Sequence, residues 1–348
     1  MSNKYHLNIK IDESMNASSK AVNDCNSILR SLGFEAFDLN IRKDCNPWLK
    51  KILNGLEFAK LLKLKKDSIL VIPHPVYINK KYIDFLKRTK IKNNIKLIFL
   101  IHDLDSLRKI FLDALDSFNY VDTTMFEISD IIIAHNEEMI KYLESKGVNR
   151  NKIISLDIFD YLAPKIEKDI KFSKTLNIAG NLDVNKSGYI RELLNIDESV
   201  NFNLYGVNLD KSLLKSSSIN YKGSFLPDEV PLQLNEGFGL VWDGETIETC
   251  SGNTGEYLRY NNPHKLSLYL SSGLPVIIWS KAAEADFVIK NKLGYAVDKI
   301  NDVVNIFNSI SEEEYNKIKS NVLDISYKLQ EGYHLKRAIE KAEEKLEL

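Results

Sequence analysis

Cysteine is scarce in this 348-residue sequence, and the three that occur, Cys25, Cys45 and Cys250, form no CxxC pair. An odd, scattered set excludes a disulfide framework and a zinc ribbon, and it suits a reducing compartment. Glycine (15) and proline (8) are also few. With 44% hydrophobic and 27% charged residues, that sets aside collagenous, low-complexity and disordered chains. No apolar run approaches the ~20 residues of a membrane span, and the opening MSNKYHLNIKIDESMN lacks the apolar centre of a signal peptide. A cytoplasmic protein without a transmembrane segment is expected. No charge sign dominates: 47 Lys and Arg face 48 Asp and Glu, so no global field draws the chain to nucleic acid. Basic clusters at residues 60 to 66 and 80 to 96 read first as solvated helix faces. They leave room for a polyanionic or membrane-linked acceptor, with the protein peripheral at the inner membrane surface. HExxH, GxSxG, Walker and GxGxxG patterns are all missing, which weakens zinc hydrolase, serine hydrolase, nucleoside triphosphatase and dinucleotide-dehydrogenase readings.

What is present is a rhythm. Apolar runs of strand length (YHLNIKI, FEAFDL, SILVIP, IKLIFLI, DIIIAH, KIISL) alternate with helix-periodic segments through residue 156. Strands buried on both faces read as continuous apolar runs, so this rhythm predicts a parallel sheet covered by helices. A charged stretch, KIEKDIKFSK at 165 to 174, reads as a linker. A second series then follows: TLNIAG, NFNLYG, SINYKG, FGLVW, LPVIIW and LGYAV. A chain of this length exceeds one ordinary core. Two consecutive doubly wound domains are expected, at 1–164 and 165–325. A polar-amphipathic C-terminal helical segment, at 326–348, is expected to pack back on the first domain. Ligands of such sheets bind at the carboxyl ends of the strands.

The most informative stretch runs from Phe238 to Val288. A strand ends at Trp242, and Asn261 or Asn262 is placed to cap a helix with Pro263 in its first turn. Such a helix start offers N–H groups and a positive dipole end to a diphosphate, with Lys265 adding a full charge. An ordinary capped helix with a surface lysine is the plain alternative. Gly180 and Gly206 each follow an apolar strand, where the missing Cβ permits a close backbone approach to a ligand or simply a turn. Trp242 and Trp279 read as core or cleft wall. His102 and Asp103 directly follow IKLIFLI, which puts two titratable groups at a strand end. Either is a candidate general base; equally, Asp103 is placed to cap the next helix and His102 to be structural. Asp103 and Asp105 also spell DxD, a metal-binding pattern. His74 reads as a turn residue, and His135 as capping or preceding a helix.

WDG, CSGNTGEYLRYNNPHKLSLYLSSGLPVIIW and AAEADFV together resemble the donor-domain signature of a GT-B glycosyltransferase group. That group contains bacterial galactofuranosyltransferases and the glucosyltransferases that extend glycans on serine-rich adhesins. NASSKAVND, FLIHDLDSLR, IIAHNEEMIKYL, LDIFDYL and AGNL are similar to further blocks of the group. The resemblance implies a GT-B fold, two Rossmann-like domains with a cleft between them, and a UDP-sugar donor held mainly by the second. Donor contacts would come from Asn262, His264 and Lys265, from Gly180 and Asn181, and from Tyr205 and Gly206 near the uridine. Ser18 and Ser19 would approach the phosphates from the first domain, where Ala17 and two serines replace the usual glycine. Activity would be metal-independent and cofactor-free, with a glycan or glycoprotein acceptor and a homo-oligomeric assembly. Rival readings are an epimerase-like enzyme of the same fold and a non-catalytic subunit that stabilises a partner.

Overall fold

The computed structural model describes residues 3–11, 18–42, 45–75, 80–109, 112–164, 169–184 and 187–347. The chain divides into two units, Met1–Leu156 with Leu335–Leu348, and Asp157–His334.

The first unit contains β1 (Lys4–Ile11), α1 (Ser18–Ser31), β2 (Glu35–Ile41), α2 (Pro47–Ala59), β3 (Ile69–His74) and α3 (Lys80–Asn93). These are followed by β4 (Lys96–Ile101), α4 (Asp105–Arg108), α5 (Leu115–Ile128), β5 (Ile131–Ala134), α6 (Glu137–Ser145) and β6 (Ile153–Ser155). Its described strands form one parallel sheet in the order β2-β1-β3-β4-β5-β6. The order reverses at β1/β3, the kind of point where such sheets open a crevice at their carboxyl ends. Ile69 to Ile72 and Leu97 to Ile101 are fully buried, as strands with helices on both faces must be.

The second unit contains β7 (Lys171–Ala179), α7 (Tyr189–Glu192), β8 (Asn201–Tyr205), β9 (Ile219–Gly223), α8 (Val230–Gln233), β10 (Glu236–Val241) and α9 (Gly252–Tyr257). Then come α10 (His264–Ser271), β11 (Val276–Trp279), α11 (Ala285–Lys290), β12 (Gly294–Val297), α12 (Val303–Ser309) and α13 (Glu312–Gln330). The sheet order is β12-β11-β10-β7-β8-β9, again parallel, with its switch point between β7 and β10. Tyr315 of α13 donates to Gly237 O at 2.7 Å, and Ser326 donates to Ser271 O at 2.8 Å, so α13 is bound to the end of α10 and to β10. Helix α14 (Tyr333–Lys345) gives all but its first two residues to the first unit, where Glu343 pairs with Lys4 and Lys345 donates to Asn151 O at 2.5 Å.

Two local expectations change. The charged stretch read as linker is strand from Lys171, which pairs with Glu236 of β10. Its first residues are exposed or half-buried beyond the core, so they need no apolar alternation although the ladder continues. Between β4 and β5 the chain forms separate helices: α4 ends where Lys109 turns left-handed at φ 54°, and α5 starts at Leu115. The C-terminal tail is two helices, α13 and α14, broken at Gly332, whose φ of 72° suits a residue without Cβ.

Candidate functional site

At the switch point of the second unit, four strand ends and one helix start are tied together. Gly180 and Gly206 follow β7 and β8 with φ of 140° and 148°. A Cβ on Gly206 would lie 1.7 Å from Gly180 O, so only glycine allows the two turns to stack. Beside them, Asn181 Oδ1 accepts from Asp183 N and from Asn208 Nδ2, both at 3.0 Å, which closes the turn after β7 and leaves Asn181 exposed. Tyr205 points the other way. Its ring is buried in the core, its hydroxyl donates to Gln233 O at 3.4 Å, and burial pushes its pKa up to about 12.

Helix α10 approaches from β10. Its N-cap is Pro263 and no side chain caps it. This corrects the expected cap by Asn261 or Asn262: Asn262 is buried and donates to Asp157 O at 3.2 Å, bracing the start of the unit. The first turn is thereby left without a side-chain acceptor, as an anion-binding helix start requires. Lys265 Nζ donates to Trp242 O at 2.7 Å and to Asp243 Oδ1 at 2.8 Å. It is therefore a half-buried cation with a counter-ion already beside it and not the isolated charge that the sequence suggests. His264 packs 5.0 Å from the Tyr161 ring and 6.3 Å from Phe159. One turn after Lys265, the buried Tyr269 accepts from Ala179 N at 2.9 Å and joins α10 to β7 across the switch point. Burial raises its pKa, so the hydroxyl stays neutral. Trp242 and Trp279 are fully buried and meet edge to face at 6.4 Å, while Arg259 stacks 4.6 Å over Trp279.

Asp243 and Tyr269 are the residues that sequence reasoning missed. A signal existed for each: WDG ends a strand with an acid, and Lys265 and Tyr269, four apart, share a helix face.

In the first unit, His102 and Asp103 follow β4 as expected, and both backbone N–H groups donate to His74 O, at 2.7 and 3.1 Å. Asp103 is not the helix cap. Leu104 occupies that position, and the Asp103 carboxylate instead receives Arg108 at 2.9 Å. His74 is not merely a turn residue either: it closes β3, buried, with Nε2 2.6 Å from Asp122 Oδ1. His135 precedes α6, which Asn136 caps, and burial pulls its pKa down to about 4, so it is a neutral partner of Ile101 O. Asp105 is buried with neither carboxylate oxygen hydrogen-bonded among the described residues, and burial together with Asp103 raises its pKa. Ser18 and Ser19 open α1, but residues 12–17 and both serine side chains lie outside the described residues. Among the described residues no group of three or more His, Cys, Asp or Glu side chains is arranged to hold a metal ion.

A model of "Glucosyltransferase 3-like, N-terminal domain" matches residues 4–158, and one of the corresponding C-terminal domain matches residues 176–342. Beta-1,6-galactofuranosyltransferase WbbI of Escherichia coli K12 is 33% identical, over 92% of this chain and 96% of its own length. Glucosyltransferase 3 of Streptococcus gordonii is 25% identical over 92% of each chain. Among solved structures, HepE of Anabaena in complex with UDP shares the fold at a TM-score of 0.62, with 11% identity over 97% of this chain and 98% of that one. The two doubly wound parallel sheets form a GT-B fold, and the relatives in sequence make the chain a glycosyltransferase of that class. The chain belongs to the Glucosyltransferase 3-like family.

The Asp105 environment makes a pH-dependent prediction. A carboxyl whose pKa is raised on folding adds most to stability below its unfolded pKa of about 3.9, and that contribution is lost as pH rises through the folded value. Asp105→Asn, which does not titrate, should therefore melt at a higher temperature than the native chain at pH 7. The gap should close as the pH falls below about 4. A gap independent of pH would mean that Asp105 is not carried at the cost of burying its charge.

Proposed function

We propose that this enzyme transfers a hexose, glucose or galactofuranose, from a UDP-sugar to a hydroxyl of a glycan or glycoprotein in bacterial surface glycan synthesis. The observation that carries this reading is the switch-point edge of the second unit. There the stacked Gly180 and Gly206 turns follow β7 and β8, and α10, with its uncapped start, is tied to the end of β10 by Lys265 and to β7 by Tyr269. A nucleoside diphosphate suits such an edge: backbone groups reach its phosphates, and the helix dipole and Lys265 balance their charge. The relatives support the sugar class, since one is named a galactofuranosyltransferase and another a glucosyltransferase.

In the reaction, the acceptor oxygen attacks the anomeric carbon and the bond from that carbon to the β-phosphate oxygen breaks. The electron pair leaves with UDP, and the acceptor proton passes to a base. We assign the base to Asp103, held in place by Arg108, with His102 beside it. Charge on the departing UDP is met by the α10 start and Lys265, which makes a divalent cation dispensable. The DxD alternative is disfavoured by the side chains themselves, because Asp105 is buried and Asp103 is engaged by Arg108.

Lys265→Ala should weaken UDP binding about ten- to a hundredfold, the worth of a charge-assisted phosphate bond. Adding Asp243→Asn should recover part of the loss, because the unpaired Asp243 carboxylate would otherwise repel the phosphates. Calorimetric titration with UDP checks both, and an unchanged affinity in Lys265→Ala removes the lysine from the site. Asp103→Asn should slow transfer by about a hundredfold or more with UDP affinity nearly unchanged, and excess EDTA should leave the native rate intact. A fully active Asn variant moves the base to His102, and a rate lost to EDTA and restored by Mn²⁺ overturns the metal-independent reading.

A further inference from the structure

Helix α2 is attached to the first unit by one side. Asn54 donates to Arg42 O at 3.1 Å and accepts from Arg42 N at 2.9 Å, while Phe58 stacks on Tyr82 with ring centroids 3.9 Å apart. Asn54, Phe58 and, just beyond the helix, Leu61 form its buried face. The opposite side of a surface helix is normally polar. Here it carries Trp48 (72% exposed), Ile52 (41%) and Leu56 (64%), each four residues from the next and so in one line, with Leu49 alongside. Leu62 continues the exposed apolar surface into the following turn.

This stripe has a basic rim. Residues 47 to 66 contain six lysines and one acid, Glu57, and that glutamate is taken by Lys60 at 2.7 Å and Asn40 N at 3.0 Å. Lys51, Lys63, Lys65 and Lys66 are exposed, in a chain whose net charge is only −1. The charge decides between occupants. A second copy docking symmetrically would bring the same face, and hence the same lysines, against itself, which repels. A nucleic acid would satisfy the lysines but not the apolar line. An anionic lipid surface satisfies both: Trp and Leu enter the headgroup boundary, where tryptophan partitions well, and the lysines reach the lipid phosphates.

We propose that the outer face of α2, from Trp48 to Leu56 with the lysines that follow it, docks the protein on an anionic membrane surface. The surface would recruit the enzyme to acceptors displayed there without any segment crossing the bilayer.

Trp48 supplies its own probe, because Trp242 and Trp279 are fully buried and it is the exposed member of the three. The full chain is mixed with vesicles of phosphatidylcholine alone or of equal parts phosphatidylcholine and phosphatidylglycerol. The expected result is a blue shift of tryptophan emission and co-sedimentation with the phosphatidylglycerol vesicles only. Lys63→Gln with Lys66→Gln should weaken partition about thirtyfold, roughly fivefold per lysine. Trp48→Ala with Leu56→Ala should weaken it on the order of a hundredfold, and both variants should keep the native melting temperature. Should the apolar pair perturb folding, the lysine pair carries the test alone. No co-sedimentation, or partition unaffected by the lysine pair, overturns the proposal. So does an apolar variant that dissociates an oligomer in light scattering while the native chain ignores vesicles, which would make the face an interface between copies.

Discussion

The carboxyl edge of the second unit depends on where Lys265 places its ammonium group. By donating at once to Trp242 O and Asp243 Oδ1, the side chain ties the first turn of α10 to the end of β10. Four residues on, Tyr269 meets Ala179 N and fixes the same helix to β7. The two strands flank the switch point, so one helix with an uncapped start is tied to both sides of the reversal in strand order. The ion pair is about a fifth exposed on each side, and such a pair contributes little to stability by itself. Its importance is positional.

That arrangement also sets the electrostatics of the edge. A lone lysine would hold anions without discrimination, whereas one already balanced by Asp243 presents little net charge until a ligand competes for it. Under the proposed function a diphosphate, with several acceptor oxygens and the α10 dipole behind it, would compete with that one carboxylate. The stacked glycine turns after β7 and β8 leave the same edge free of side chains, which the proposed function would use for the close approach of a nucleotide.

Much of the fold is legible in the sequence. Strands such as Leu97 to Ile101 are buried on both faces, and their unbroken apolar runs announce the parallel sheets. Gly180, Gly206 and the NPHK start of α10 were found from strand ends and helix signals. What stayed hidden depends on distant partners or on the absence of packing. Lys265 meets Asp243 from 22 residues away, and Asn262 braces Asp157 across 105, so local capping logic had no means to prefer Pro263 as the cap. Lys171 to Lys174 extend β7 beyond the core, and without burial a strand shows no apolar signature. The resemblance placed Tyr205 near the uridine, and its ring turns into the core, a direction that no local pattern reveals. Helix α2 is apolar on two sides, and the sequence alone did not separate the face that packs from the face that does not.

The central claim is that the second unit holds a UDP-sugar whose hexose is handed to an acceptor hydroxyl. A panel of UDP-sugars incubated with the full chain and a crude extract of bacterial glycans, read by mass spectrometry, tests it most directly. The account predicts that one or two UDP-hexoses are consumed and that an acceptor gains the mass of one hexose for each UDP released. Donor interconverted with no acceptor product would instead mark an epimerase-like enzyme. No turnover of any donor, together with no measurable UDP binding, would mark a subunit that has kept the fold without the chemistry.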